Sequence, residues 1–546
     1  MKFLKQVLYL FIIPTIIGIL GGFSAILFRK LIKLSNVIFN LFSGNNSIYY
    51  VILMPFVFLF TYTVSRKLLV SPENVTIDEI AKKISVEKGG FNIKKGLLVL
   101  GLTSFNIGFG VPVGREGPIA KLGGVLSELF SKVFKIDRIH LPIYLTCGVS
   151  SALSATFNAP IAAVLFGIEI VLGKINSYII IPLVISSSVA TLISRKFLGN
   201  FTAFYVPKLS FQDSEIPLFL VISFLSALMS ILFFFLLEFF SFFRIRYRKL
   251  WGKISFIFGF LVGLLIYIYP EIAGVGYSSV TKLFQNGFSP DRALEVFISK
   301  FLAVVLSFGS GVFGGLLAPS IFMGSFLGYF IGDFSQFDPR VFALVGSAAF
   351  LSGISRAPFR STLIIVELTH NYQLVIPTLL TSVLTNYFIG SFNETSLLKR
   401  ALLHRGVKID ELLKSRLRSL NVKEFIKPVK PVYETSHISY VLKRFLNDEV
   451  RYLPVVKSPK DRTLVGIVSV RDLELAAIEE QTNLYVKEIM TPEPFVLTLN
   501  SPPEEILKVV ALFEVGQIPV VDSSERYVGM FDVNKFLKKI IIQTNF

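Results

Sequence analysis

The chain has 546 residues, 53% hydrophobic and 17% charged, with a mean hydropathy of +0.65, which excludes an ordinary soluble protein. Its net charge is +18, but the basic residues gather in connectors such as Arg244, Arg246, Arg248 and Lys249 and in the C-terminal third, a positive-inside pattern that argues against a nucleic-acid partner. The lone Cys147 excludes an intrachain disulfide, and His140, His370, His404 and His437 lack the spacing of a zinc site, so no metal is expected.

Apolar runs recur over 7–28, 50–64, 141–155, 178–194, 216–243, 254–269 and 297–332, several of them long enough to cross about 30 Å of hydrocarbon. The first has no small-residue cleavage site and reads as a retained span. Other runs are short or broken by Gly and Pro. They predict half-helices ending inside the membrane, which is tolerated only along a protein-walled or wet cavity. Lys2, Lys5 and the 244–253 connector place both termini in the cytoplasm of a multi-pass cell-membrane protein. The sequon at Asn200 is a weak match of the kind chance produces.

Within this apolar sequence stands Gly114-Arg115-Glu116-Gly117-Pro118, a glycine-rich turn carrying one acid and feeding the apolar run 119–130. The glycines allow a tight backbone, and proline suits a first helical turn. Glu116 therefore sits beside a helix N-terminus, an anion site with its own anion. Holding such a group inside a membrane costs about 2.5–3.5 kcal/mol on insertion scales and marks a pathway more often than a structural cap.

The apolar part repeats itself. Residues 153–160 overlie 351–358 at an offset of 198, pairing Pro160 with Pro358, Leu165 with Leu363 and Glu169 with Glu367. Upstream, Gly114 to Pro118 is echoed by Gly315 to Pro319, and Gly123 by Gly324, at an offset of 201. Two related halves each supply a Gly-rich turn ending in Pro, an arrangement that places a substrate at the interface between them. The expected division is a membrane domain over 1–405, a linker over 406–420, and two α/β units over 421–480 and 484–542. In those units Val422-Lys423-Glu424 recurs at Val486-Lys487-Glu488, and Leu453-Pro454-Val455-Val456 at Ile518-Pro519-Val520-Val521.

Together these residues resemble the CLC chloride channels and anion/proton antiporters with a C-terminal CBS-domain pair. The resemblance rests on Gly114 to Pro118, Phe157-Asn158-Ala159-Pro160, Gly314-Gly315-Leu316-Leu317-Ala318-Pro319, and Glu367 to Tyr372 after Arg356-Ala357-Pro358, and covers nearly the whole chain. It implies an all-α polytopic membrane domain of two inverted repeats with broken helices, in a homodimer with one pore per subunit. Glu116 matches the gating glutamate, the backbone at Leu316 and Leu317 the central anion site, and that around Gly114, Arg115 and Gly117 the outer site.

Three departures stand out. Where the family has a serine hydroxyl on the central anion this chain aligns Val75, with Thr76 beside it, and where the family has a pore tyrosine it aligns Leu398. Each hydrogen bond lost to a charged ligand is worth about 1.5–3 kcal/mol. The inner proton-relay glutamate of antiporters is matched by Ile170, directly after Glu169, and an aliphatic side chain relays no proton.

The expected function is gated movement of chloride or a similar small anion through a channel-like pathway controlled by Glu116. Chloride/proton antiport through Glu169 or water is the alternative, with a CBS-bearing magnesium transporter as a distant rival whose pore would need acidic or carbonyl ligands. No nucleophile–base pair or phosphate-binding loop suggests an enzyme, and no cofactor is required. In the CBS pair, Gly466, Ser469 and Asp472 match a nucleotide-holding pattern, whereas the second unit places Asp532 and Lys535 there. At most one site for ATP, ADP or AMP is expected, with a ligand-free structural pair as its equal alternative.

Overall fold

The structure, a computed structural model, describes residues 7–44, 46–68, 80–81, 83–84, 89–134, 136, 140–172, 177–200, 204–392, 422–448, 452–469, 472, 484–502, 506 and 516–544. They fall into two compact units, Met1–Asn393 and Glu394–Phe546.

The first unit is helical. Its first half holds α1 (Ile13–Ser43), α2 (Ile48–Leu68), α3 (Ile93–Gly108), α4 (Glu116–Val133), α5 (Leu141–Phe157), α6 (Pro160–Phe166, extended by a π-helical turn Gly167–Leu172) and α7 (Ser177–Leu198). Its second half holds α8 (Ile216–Arg246), α9 (Trp251–Ile268), α10 (Tyr277–Asn286), α11 (Pro290–Ser310), α12 (Leu317–Asp333), α13 (Pro339–Ser355), α14 (Pro358–Thr369) and α15 (Val375–Phe392). Seven helical stretches among the described residues are long and apolar enough to cross a membrane, including 372–391, which the hydropathy reading passed over. The apolar run 297–332 is two helices, because Gly311 at φ 95° ends α11 and the Gly-rich segment after it opens α12.

The repeat is visible in the packing. In the first half α4 meets α5 through Gly123 and Gly148, and in the second α12 meets α13 through Gly324 and Gly346; a Cβ on any of the four would strike the partner glycine's backbone. At equivalent positions Asn158 (φ 58°) and Arg356 (φ 56°) end α5 and α13 in the left-handed region, and the chain restarts at Pro160 and Pro358.

The second unit carries two four-stranded sheets, ordered β1-β8-β7-β6 and β2-β3-β4-β5. The strands are β1 (Ile426–Lys427), β2 (Val432–Tyr433), β3 (Tyr452–Val456), β4 (Leu464–Ser469), β5 (Thr491–Pro492), β6 (Leu497–Thr498), β7 (Gln517–Val521) and β8 (Tyr527–Asp532). Each sheet sets a short strand parallel to one arm of an antiparallel hairpin, with the same register shift at Val455/Val456 and Val520/Val521. The leading segment of the first repeat joins the sheet of the second repeat, Ile426 opposite Phe531, and that of the second repeat joins the sheet of the first, Thr491 opposite Ile467, so the repeats interlock.

One ion pair pins that interlock. Burial opposes the Asp532 charge, but the Lys427 ammonium at 2.6 Å and the Lys535 backbone N–H at 2.9 Å outweigh it and hold the carboxyl below the ordinary aspartate value near 3.8. A group held below its unfolded value stabilises the fold above that value and ceases to do so as pH falls through the folded one. Asp532→Asn is expected to speed amide exchange across β1 and β8 about two- to fivefold at neutral pH, the scale of a half-exposed ion pair. The difference should vanish as pH drops below 3.8; mass spectrometry of the full chain reads both, and a difference that persists in acid assigns the effect elsewhere.

Candidate anion site

Two glycine-rich segments begin the site. Gly114, just ahead of α4, and Gly315, just ahead of α12, donate their N–H groups to each other's carbonyls, both at 2.7 Å. They are equivalent residues of the two halves, so the reciprocal pair marks a local two-fold axis. Both are glycines because a Cβ on either would collide with the Glu116 carboxylate.

Glu116 opens α4, but its side chain also serves the opposite half. Oε1 accepts the Ala318 N–H at 3.0 Å, in the first turn of α12. The carboxylate is 1% exposed, and Oε2 meets no donor among the described residues. Leu316 and Leu317 were the expected backbone donors of the central site. They stand at the start of α12, and the N–H taken by the carboxylate is one residue further into the same turn. Gly117 is buried in the first turn of α4. The Arg115 guanidinium lies 5.2 Å from the Phe157 ring centre and 5.9 Å from that of Tyr277. Val75, Thr76 and Leu398 lie outside the described residues.

Asn106 of α3 holds both Gly-rich segments. Its amide donates to the Phe313 carbonyl at 3.2 Å, its side-chain oxygen accepts from the Thr61 hydroxyl at 2.7 Å, and its backbone oxygen accepts the Val111 N–H at 3.0 Å. Asn106 and Thr61 are both fully buried.

Glu169 and Glu367 exchange helix starts. Glu367, on α14, accepts the Ile161 and Ala162 N–H groups at the start of α6, at 3.1 and 2.7 Å. Glu169, in the turn after α6, accepts the Arg360 N–H near the start of α14 at 3.0 Å. Each carboxylate thus sits at a positive helix end of the other half. Between these starts lies a cavity of about 10 Å³, walled in part by Phe157, Ala159, Leu317 and Arg360. Its volume suits one water-sized species.

In the second unit the expected nucleotide residues face one another. Asp472 accepts from the Ser469 hydroxyl and N–H at 2.8 and 2.7 Å, and Gly466 packs so tightly on Met490 that a Cβ there would strike its sulfur.

The family described as "Voltage gated chloride channel" matches residues 57–390, and the CBS domain matches 422–478 and 486–542. The chain belongs to the CLC family. It is 29% identical over 323 residues to "H(+)/Cl(-) exchange transporter ClcA" of Vibrio cholerae serotype O1, spanning 56% of this chain and 68% of that one. It is 27% identical over 322 residues to "Putative chloride channel protein ClcB-like" of Ralstonia nicotianae, spanning 56% and 73%. Among solved structures, a slow cyanobacterial Cl−/H+ antiporter superposes with a TM-score of 0.63 at 19% identity, over 74% of this chain and 98% of that one. A eukaryotic CLC transporter superposes at 0.62 and 21% identity, over 97% and 98%. The fold is the CLC fold of broken-helix repeats, and this CLC protein is a multi-pass membrane protein with a C-terminal CBS pair.

Sequence reading missed Ala318, Asn106 and Arg360 in this CLC protein. Ala318 acts through its backbone and gives no side-chain signal. Asn106 is the one amide of α3 and Arg360 the one basic residue of α14, and the only hint they offer is the cost of burying them. Gly315→Ala is expected to expel the Glu116 carboxylate from the Ala318 N–H, making anion flux through reconstituted protein less dependent on external pH; an unchanged pH profile would show that the carboxylate is held by other contacts. Thr61→Val leaves the Asn106 oxygen unpaired and should cost about 1–3 kcal/mol. Thermal unfolding in detergent should show a clear loss for Val and near-recovery for Thr61→Ser.

Proposed function

We propose that the chain exchanges chloride, or a similar small anion, for protons, with Glu116 as the group common to both. The observation that carries this is the Glu116 carboxylate seated on the Ala318 N–H at the start of α12, with its other oxygen unpaired in a buried site. An ionised carboxylate and a halide compete for one helix end at low dielectric. Protonation removes the carboxyl's charge, loosens its hold on the Ala318 N–H and frees that helix end for an anion. Deprotonation returns the carboxylate and displaces the anion. The proton rides on the carboxyl oxygen.

Exchange replaces the uncoupled channel as the favoured reading because the similar relatives include proteins named H(+)/Cl(-) exchange transporters. Ile170 leaves the inner proton route to Glu169 or to water. Glu116, Gly114, Arg115, Gly117, Leu316 and Leu317 are the proposed gate and anion-site residues. A homodimer, cytoplasmic termini and adenine-nucleotide binding at Gly466, Ser469 and Asp472 belong to the same proposal.

The test is chloride efflux from liposomes holding the purified protein, with external pH recorded in the same vesicles and Glu116→Ala run beside it. Wild type is expected to take up protons in fixed ratio to chloride released, and Glu116→Ala to pass chloride with proton movement abolished. Chloride release without protons in wild type would restore the channel-like reading, and flux carried only by cations would restore the magnesium-transporter rival.

A further inference from the structure

Three buried polar atoms without partners among the described residues stand in one neighbourhood of the membrane unit. They are Oε2 of Glu116, Nε of Arg115 and the hydroxyl of Tyr277, the first residue of α10. The first is an acceptor and the other two carry donors, yet none pairs with another while Glu116 sits on the Ala318 N–H. The Arg115 guanidinium neighbours the Tyr277 ring, and Tyr277 lies within electrostatic range of Arg115, Glu116 and Arg29 of α1. Several contacts fix Tyr277 in that place. The fully buried Lys300 ammonium of α11 donates to the Ile272 and Gly274 carbonyls, both at 2.7 Å, and lies 4.7 Å from the Phe322 ring centre of α12, clasping the turn that leads into α10. The Gly274 N–H donates to the Gly110 carbonyl at 2.7 Å, which ties the same turn to the segment just ahead of Gly114. A Cβ on Gly276 would strike the Phe322 ring, and the Tyr277 ring packs 5.7 Å from that of Phe204.

A buried tyrosine hydroxyl ordinarily has a partner, since one left without loses the hydrogen bond that water gave it. Here the turn that presents the hydroxyl is held by α11, by α12 and by the segment ahead of α4, so its unpaired state is built into the fold. We infer that Tyr277 is the second seat of the gate: its O–H receives the Glu116 carboxyl when that group leaves the Ala318 N–H. The inference rests on the gating role proposed for Glu116 and adds the residue that holds the gate open. A carboxyl released into a buried place without a donor returns to α12. The Tyr277 O–H donates to a carboxylate oxygen or to the carbonyl oxygen of the protonated acid, so the released group is satisfied in both states. The charged groups facing Tyr277 are Arg115, Arg29 and Glu116, with Lys300 behind the turn. Phenylalanine at 277 removes the one donor atom of this seat and breaks no hydrogen bond of the seated state.

The experiment uses full-length protein in liposomes, with chloride flux measured against external pH for wild type, Tyr277→Phe, Glu116→Ala and the double variant. Tyr277→Phe is expected to move the pH midpoint of flux toward acid by about half a unit or more, because the released carboxyl loses a donor and the seated one loses none. Glu116→Ala leaves no carboxyl to receive, so adding Tyr277→Phe to it should change chloride flux by less than about twofold. A hydroxyl that bound the anion itself would lower flux in that background as well, through a raised apparent KM. Wild-type flux that Glu116→Ala leaves unaltered in size and pH dependence overturns the gate and this inference with it. A gated wild type whose midpoint Tyr277→Phe does not move overturns this inference only, as does a Tyr277→Phe effect that persists undiminished without the Glu116 carboxyl. A Tyr277→Phe protein whose thermal unfolding in detergent shows it unfolded also overturns it, since the hydroxyl would then serve the structure.

Discussion

The paired hydrogen bonds between Gly114 and Gly315 are the constraint on which the rest of the membrane unit depends. A helix that begins inside the hydrocarbon leaves its first N–H groups without partners, and each costs several kcal/mol unless something accepts from it. Joining the two Gly-rich segments back to back satisfies one N–H and one carbonyl from each half and sets two helix starts beside each other. Glycine is required at both positions because the space a Cβ would fill already holds the Glu116 carboxylate. The same close approach that relates the halves thus brings an acid of one half onto a helix start of the other.

That exchange occurs three times, with different strengths. Glu367 gives both oxygens to N–H groups at the start of α6, and Glu169 gives one to the start of α14. Glu116 gives one oxygen to the start of α12 and keeps the other unpaired in a buried place. Glu367 is thus tied to the opposite half through both oxygens and Glu116 through one. An acid that must leave its seat for an anion needs a weak seat, while an acid that fixes a half-helix needs a strong one. On the function proposed above, this difference sets Glu116 as the gate apart from Glu367 as the scaffold.

Most of this organisation was legible in the sequence because it is written in Gly and Pro. The restarts at Pro160 and Pro358, the turns at Gly114 and Gly315 and the helix contacts at Gly123 and Gly324 all stand at the repeat offsets, since backbone geometry restricts what those positions accept. Hydropathy alone runs unbroken over 297–332, and only the Gly-rich turn at Gly315 shows where it divides into α11 and α12. Arg356 in the left-handed region was invisible, because arginine carries no signal for that conformation; only its register with Asn158 shows it. Asn106, fully buried between the two segments, was invisible for a different reason. One amide in an apolar helix has no period, and its meaning comes from the Phe313 carbonyl 207 positions away.

The CBS pair shows how the same residues serve two readings. A serine and an acid after a strand fit the holding of a ribose, but here Asp472 is already occupied by the Ser469 hydroxyl and N–H, as a cap closes the turn after β4. Asp532, three residues after Gly529 as Ser469 is after Gly466, does the same for the turn after β8 with the Lys535 N–H, and adds the Lys427 pair. A nucleotide entering the first unit must therefore compete with a local cap, whereas in the second it must also break an ion pair that ties the two repeats together. The asymmetry makes Asp532 of the second unit the contact that also ties the two repeats together.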